Sequence, residues 1–515
     1  MKRFWVTTGI IFGLALLFVV GLGVILMLSP GSRLFGLQYV SAFIGKNDVS
    51  EEYADYIEGD IYVTTNDIPV ILSVEPYGRT KVEFSQHYHG YTTDKTNIPN
   101  CKIERTSEGL KVETAEVSRF GIFGRNDVYS LTIHIPASWA ISGRHSIYVN
   151  GKNSPITLKN ADNTTLSFIN LSLVGNNTLA INTKLSCKNL TAYTRKAAEF
   201  NNNIVAENYN ISTNSGNLTF AGTIEGNLNA KTTSGFVHFG KVKGDVSIKT
   251  STGEVAGIDN AKPVIYGKAN IETGRGRVVI DELLNADNHI KTAGGSINIE
   301  TMMGGTLESP RGAINVGSMN SGTLNGGTKD VVVGSVSGSA KITSTKGNVY
   351  VGDFEGSKTA RNITASSTNG KITLKNTIGS VNVATTNGEV ELYNSSASAI
   401  KLESGKGVVA TGLLGKVDIS AKKDINVAFN MVSGDVDISG TAGCKNINIT
   451  ANKTELENVN VHLKTAGKNL LAKVYEGNSL TKDGAEIKID SSVASAKNIK
   501  VTATGANINL YLKQA

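Results

Sequence analysis

The stretch from about Asn208 to Thr450 repeats one short pattern: a β-prone run, a polar turn, a Gly, one variable residue, then apolar-x-apolar. Residues 342–351, 363–374 and 383–392 show it in full. The pairs after the Gly are Leu218/Phe220, Val237/Phe239, Ile297/Ile299, Ile314/Val316, Val349/Val351, Ile372/Leu374 and Val390/Leu392. Such alternation describes a strand with one face inward, so Ile372 is predicted to point in and Thr373 out. The Gly is predicted to serve a tight turn at positive φ, which Gly adopts without steric cost.

Spacing then constrains architecture. Gly216 to Gly235 is 19 residues, Gly295 to Gly312 is 17, Gly370 to Gly388 is 18, and Gly253 to Gly276 is 23. A unit this short cannot bury its apolar residues alone, so neighbours must stack and share one core. The prediction is an all-β chain whose main part is a parallel β-solenoid, each coil about 4.8 Å from the next. The turns holding Asn214, Asn369 and Asn387 would form an Asn/Thr ridge whose amides hydrogen-bond from coil to coil. The 55 Gly and 2 Trp, with no helical periodicity, suit that class.

Four regions are expected: a transmembrane anchor over 1–32, a juxtamembrane linker over 33–57, an antiparallel β capping domain over 58–150 and the solenoid over 151–515. Phe4 to Leu28 carries no charge and follows Lys2 and Arg3. At 1.5 Å per residue such a helix is about 37 Å long, enough to cross a bilayer with some tilt. A cleaved signal peptide is the rival reading, but no Ala-x-Ala site follows Leu28. The expectation is a single-pass cell-membrane protein with a cytoplasmic N-terminus and the bulk of the chain outside. In 58–150, runs such as Ile61–Val63, Val70–Val74, Leu110–Glu113 and Leu131–Ile135 are separated by Pro, Gly, Asn and Asp, as in a small antiparallel sheet that caps the first coil. Regular coils are expected after residue 150, with an irregular passage at Arg195–Asn203. Cys101, Cys187 and Cys444 are too few and too far apart for a disulfide framework.

Residues 61–71 and 131–136, followed by the run of Ser/Thr-and-Gly turns, resemble the bacterial "putative adhesin" family. Those are surface β-solenoid domains of undefined biochemical function. The chain is also similar, more distantly, to auto-transporter adhesin head domains. The likeness covers roughly residues 58–510. It implies surface display or adhesion to envelope or extracellular polymers, and it brings no active site and no cofactor.

Gly274-Arg275-Gly276 is part of a dinucleotide-loop pattern, but no helical pattern follows it, which makes it a coil turn. His87 and His89, with Asp94 nearby, would be half a metal site at most. Solenoid enzymes acting on polysaccharides need clustered carboxylates. Glu254, Asp330, Glu389 and Asp424 occupy comparable turn positions but are spread over many coils. The reading is therefore a protein that binds or displays without catalysis, a polysaccharide lyase or hydrolase being the alternative.

A row of bases stands at or beside the turn Gly: Arg275, Arg311, Lys329, Lys346, Lys406 and Lys423. Arg311, Lys329 and Lys346 lie 18 and 17 residues apart, which predicts that they stack on consecutive coils. Such a ridge would attract an anionic polymer or acidic glycan. The competing account is a solvated edge kept soluble by charge, which a net charge of only +7 over 515 residues favours. No aromatics interleave with these bases, so nucleic acid is not expected.

Overall fold

The computed structural model describes residues 11–21, 33–34, 37–39, 47–52, 57, 59–76, 78–92, 101–114, 124–258, 262–352, 359–493 and 496–513. It forms two compact units, Met1–Gly235 and Phe236–Ala515. Both are built of parallel β-coils, as the repeat requires. Of the expected span Phe4–Leu28, residues 11–21 are helical and the rest lies outside the described residues. Among the described residues no helix is long and apolar enough to cross a membrane.

In the N-terminal unit the coils begin earlier than expected. Strand Asp60–Asn66 lies parallel to Ile147–Lys152, with Ile61 opposite Ile147, and Val70–Glu75 lies parallel to Ile156–Asn160, with Val70 opposite Ile156. These residues were expected in a separate antiparallel sheet. Their inward pairs Ile61/Val63 and Val70/Leu72 are at most 2% exposed and stack in the same core as the later coils. A further coil covers them: Leu110 faces Ile61 and Leu131 faces Val70, both in parallel register. Antiparallel pairing appears only outside that coil, where Cys101–Thr106 pairs with Gly109–Thr114 and Lys81–Thr92 pairs with Gly124–Pro136. The passage expected to be irregular is also a rung, because Ala198–Phe200 sits in register between Leu179–Ile181 and Leu218–Phe220. The rings of Phe200 and Phe220 stack there at 4.7 Å.

The C-terminal unit carries the pattern on. Ile297, Ile314, Val331, Val349, Ile372, Val390, Val408 and Ile425 align rung by rung, as do Ile271 with Ile290 and Ile290 with Leu307 in the strands before the turn. A shorter third ladder runs through Ile265, Leu283, Met302, Met319 and Val336. The inward residues of all the expected pairs are at most 3% exposed. The last rungs do not follow chain order. Val436 faces Ile499, and Ile499 faces Val461. The final segment therefore slots between the coil at 436–452 and the coil at 459–476, and antiparallel strands Ser479–Gly484 and Glu486–Ile489 edge the outer one.

The corner between the first two ladders is built by Ser/Thr-x-x-Gly. Thr250, Thr273, Thr292, Ser309, Ser344, Ser367, Thr385 and Ser404 are buried, at most 7% exposed. Their hydroxyls either accept the N–H of the Gly three residues on (Thr250 2.9 Å, Ser309 3.0 Å, Ser367 2.8 Å, Thr385 2.9 Å) or donate to its carbonyl (Thr292 2.6 Å, Ser344 2.8 Å, Ser404 3.0 Å). The Gly is not there for positive φ, contrary to the sequence reading: none of Gly276, Gly295, Gly312, Gly370 or Gly388 adopts it. A Cβ on any of these five would fall 1.7–2.0 Å from the carbonyl oxygen of the corner Gly one rung away. At these five positions backbone packed on backbone leaves no room for a side chain.

Gly312→Ala is therefore expected to lose about 1–3 kcal/mol or more in urea unfolding, since the backbone must shift to admit the methyl. Gly240→Ala, where nothing lies within 4 Å of the added carbon, is the control and should change stability by less than about 0.5 kcal/mol. Equal effects would remove the close-approach account.

The outward register also needs amending at one position. Thr373 is only 4% exposed, because the Lys371–Glu391 ion pair (2.6 Å) covers it and its hydroxyl donates to Glu391 at 3.3 Å. Thr373→Asp would set a carboxylate directly opposite Glu391 and is expected to cost about 1–3 kcal/mol. Ile372→Asp, with a charge among fully buried aliphatics, should cost more than about 4 kcal/mol. Thermal unfolding that ranks the two equal would refute this assignment of faces.

Candidate ligand-binding corner

The two residues between the buried hydroxyl and the following Gly face solvent, and Arg275, Arg311, Lys346 and Lys406 sit there, while Lys329 and Lys423 stand in turns without that hydroxyl. All six of Arg275, Arg311, Lys329, Lys346, Lys406 and Lys423 are exposed, and none is in an ion pair among the described residues. Some other lysines of this unit are paired: Lys249 with Glu272 at 2.8 Å, Lys291 with Glu308 at 3.4 Å and Lys371 with Glu391 at 2.6 Å.

The register sorts the six into columns. Val278 faces Ile297 and Ile297 faces Ile314, so three residues back Arg275, Gly294 and Arg311 are level. Ile314 faces Val331 and Val331 faces Val349, which continues that column through Thr328 to Lys346. Arg275, Arg311 and Lys346 thus occupy alternate rungs, about 10 Å apart. Lys329 is not stacked between Arg311 and Lys346 as the spacing predicted. It is two residues before Val331 and takes the place of a corner Gly, level with Gly312 and Gly347. Constant spacing put it in the wrong column because only the distance to the following apolar pair fixes the column.

That distance reveals a residue the repeat count missed. Lys406, Lys423 and Lys445 each stand two residues before an aligned apolar residue, Val408, Ile425 and Ile447. They occupy three consecutive rungs, and the N–H of Lys423 donates to the carbonyl of Lys406 at 2.8 Å. Lys445 is exposed as well. Its step from Lys423 is 22 residues, which hid it from a search at 17 or 18. Between the two basic groups the expected amide ridge is present, with Asn387 Nδ2 donating to Asn369 Oδ1 at 2.9 Å.

Beside this lysine column lies a groove of about 550 Å³ lined by Glu389, Glu391, Gly407, Lys423, Asp424 and Lys445, among others. Gly407 leaves a notch between the Glu389 and Asp424 rungs. Glu254, Asp330, Glu389 and Asp424 do share one column, each just before an apolar strand residue. Three of them are engaged structurally: Glu254 pairs with Arg277 at 2.8 Å, Asp330 accepts the Asn348 N–H at 2.9 Å, and Asp424 accepts the N–H groups of Lys445 and Asn446, both at 3.0 Å. Glu391 holds the Lys371 ammonium, and that hydrogen bond is the main cause that raises the Lys371 pKa above its usual value. The carboxylates are strung along the corner and do not converge on one point.

His87 and His89 lie on strand Lys81–Thr92, but their side chains and Asp94 lie outside the described residues. Among the described residues no group of His, Cys, Asp and Glu side chains is placed to hold a metal ion. None of the three cysteines is in a disulfide. Burial pushes the Cys187 thiol up to about 12 and the Cys444 thiol up to about 11, so both stay protonated as small core residues.

Residues 81–318 match the Toastrack DUF4097 family model. Over those residues the likeness to adhesin-type β-solenoid domains of undefined function holds. No curated protein matches the chain. Among solved structures, a putative cell adhesion protein from Clostridium sporogenes ATCC 15579 aligns over 92% of this chain and 100% of its own, at 8% identity and a TM-score of 0.12.

Proposed function

We propose that this protein is a membrane-anchored, extracytoplasmic β-solenoid that binds or displays, and that its corner lysines hold an anionic envelope or extracellular polymer. The observation that carries the reading is the column Lys406–Lys423–Lys445: three exposed ammonium groups on successive rungs, unpaired among the described residues. A linear polyanion lying along the corner would meet a positive charge roughly every 5 Å. Arg275, Arg311, Lys329 and Lys346 extend the same edge. Such binding works through screened charge and a repeated spacing instead of a shaped pocket.

The test is binding of long-chain polyphosphate to the full-length protein across a salt series. Binding should weaken steeply between about 0.1 M and 1 M salt, as the Debye length falls from about 10 Å to about 3 Å. Changing Lys406, Lys423 and Lys445 together to Gln should remove most of the salt-sensitive part with little effect on thermal stability, because these side chains face water. Changing the ion-paired Lys249, Lys291 and Lys371 together to Gln, which removes the same number of charges, should do less. Equal losses from the two sets would mean that net charge alone matters, and no binding by the unaltered protein at low salt would end the proposal.

Anchoring is tested apart from binding. If residues 4–28 form the anchor, the full chain should stay in the membrane fraction after a high-salt wash and leave it only with detergent. Quantitative release with a new N-terminus near Ser32 would point to a cleaved signal peptide instead.

A further inference from the structure

We infer that a recess at the outer coils of the N-terminal unit is a binding site for a neutral saccharide unit. Four stretches of chain meet there. Asp60 and Tyr62 come from strand Asp60–Asn66, and Glu108 from the turn of the hairpin Cys101–Thr106/Gly109–Thr114. Trp139 comes from the short helix Ala137–Ala140, and Arg144 with His145 from the loop that enters strand Ile147–Lys152. Together they line an open recess of about 720 Å³.

The first indication is the Trp139 indole. Trp139 is 7% exposed, and its ring stacks on His145, with centroids 4.6 Å apart and planes 7° from parallel. Its Nε1 donor is buried and has no hydrogen-bond partner among the described residues. Leaving a buried donor unsatisfied is costly, and native structures seldom do so without a reason. The donor has no surface open to solvent, so an acceptor in the recess would supply the missing partner only with a shift of the side chains that cover it.

The second indication is the mixture of groups around it. Asp60 is held in place because its Oδ1 accepts the Ser146 N–H at 2.8 Å. Glu108 and Arg144 are exposed at the rim. His145 is biased towards its neutral form, chiefly by burial, and a neutral imidazole offers one donor and one acceptor. Tyr62, stacked on Tyr148 at 5.1 Å, contributes an aromatic wall with a hydroxyl. Two carboxylates oppose an anion and the guanidinium opposes a cation. A ring of hydroxyls, each able to donate and to accept, fits donors and acceptors of both kinds beside aromatic walls. The recess shares no residue with the corner lysines and lies in the other unit, so polyanion binding and saccharide binding stand or fall separately.

The chain offers a direct probe, since its only tryptophans are Trp5 and Trp139. Full-length W5F protein, prepared without sugar-headed detergents, is titrated with glucose, N-acetylglucosamine and glucosamine while the Trp139 emission is followed. The expected result is a saturable change with glucose or N-acetylglucosamine at an affinity on the order of millimolar. Glu108→Gln and Arg144→Gln, both at exposed positions, should each weaken it about tenfold with an unchanged circular dichroism spectrum. No saturable change with either neutral sugar overturns the inference. So does a response confined to glucosamine, which would make the site one for cations, or a response that neither substitution alters.

Discussion

The structure depends on backbone meeting backbone at the corners of the coils that carry a stacked Gly. Where Gly276, Gly295, Gly312, Gly370 and Gly388 stack, the neighbouring carbonyl occupies the volume a Cβ would need. A buried hydroxyl three residues earlier ties each corner to its own strand. The contact fixes the height of one coil over the next, and that height sets which residues face each other along the ladders. Because side chains alternate with a period of two, a slip of one residue would turn Ile372 and Leu374 out to water and carry polar neighbours into the core. The corner thus acts on specificity of register, while the aliphatic stack behind it supplies the bulk of the burial free energy.

This division of labour explains what could be read from the chain. Inward pairs such as Val390/Leu392 are legible because alternation is a local property and needs no knowledge of the neighbouring coil. Thr373 is not, since its cover comes from Lys371 and from Glu391 one rung away. Nor is the role of the corner glycines: a turn at positive φ and a close approach both call for Gly, and only the stacked neighbour distinguishes them. Lys445 and Lys329 show the same limit for the candidate site. Counting 17 or 18 residues assumes coils of equal length, and loops of varying size break that count. The distance to the following apolar pair survives them, so Lys406, Lys423 and Lys445 could have been found together by measuring from Val408, Ile425 and Ile447. The saccharide recess had no such signal, because Glu108, Trp139 and Arg144 meet only through the arrangement of the outer coils.

That arrangement is the part that periodicity leaves open. A repeat states that coils stack, but not which coil stacks on which. In the N-terminal unit the coil at 60–75 lies between a later coil at 109–136 and a still later one at 147–160. In the C-terminal unit the final strands Lys497–Thr504 and Asn507–Lys513 lie between 436–452 and 459–476. In both cases an early or late segment is gripped on two sides instead of one, so fraying it breaks two ladders at once. In both cases the outermost coil is edged by antiparallel strands, which take up hydrogen-bonding groups that would otherwise template association with another chain.

The two candidate sites follow from these different settings. Along the corner each coil contributes the same position, so a ligand there meets side chains whose spacing is the rung spacing, and selectivity can come only from charge and repeat. Bases at those positions cost the core nothing, because their side chains are exposed. At the outer coils of the N-terminal unit the regular stacking gives way to a hairpin turn, a short helix and a loop, and side chains of different kinds can converge on one volume. Chemical discrimination of a single sugar ring requires that kind of convergence, and in this chain the exception to the repeat is what provides it.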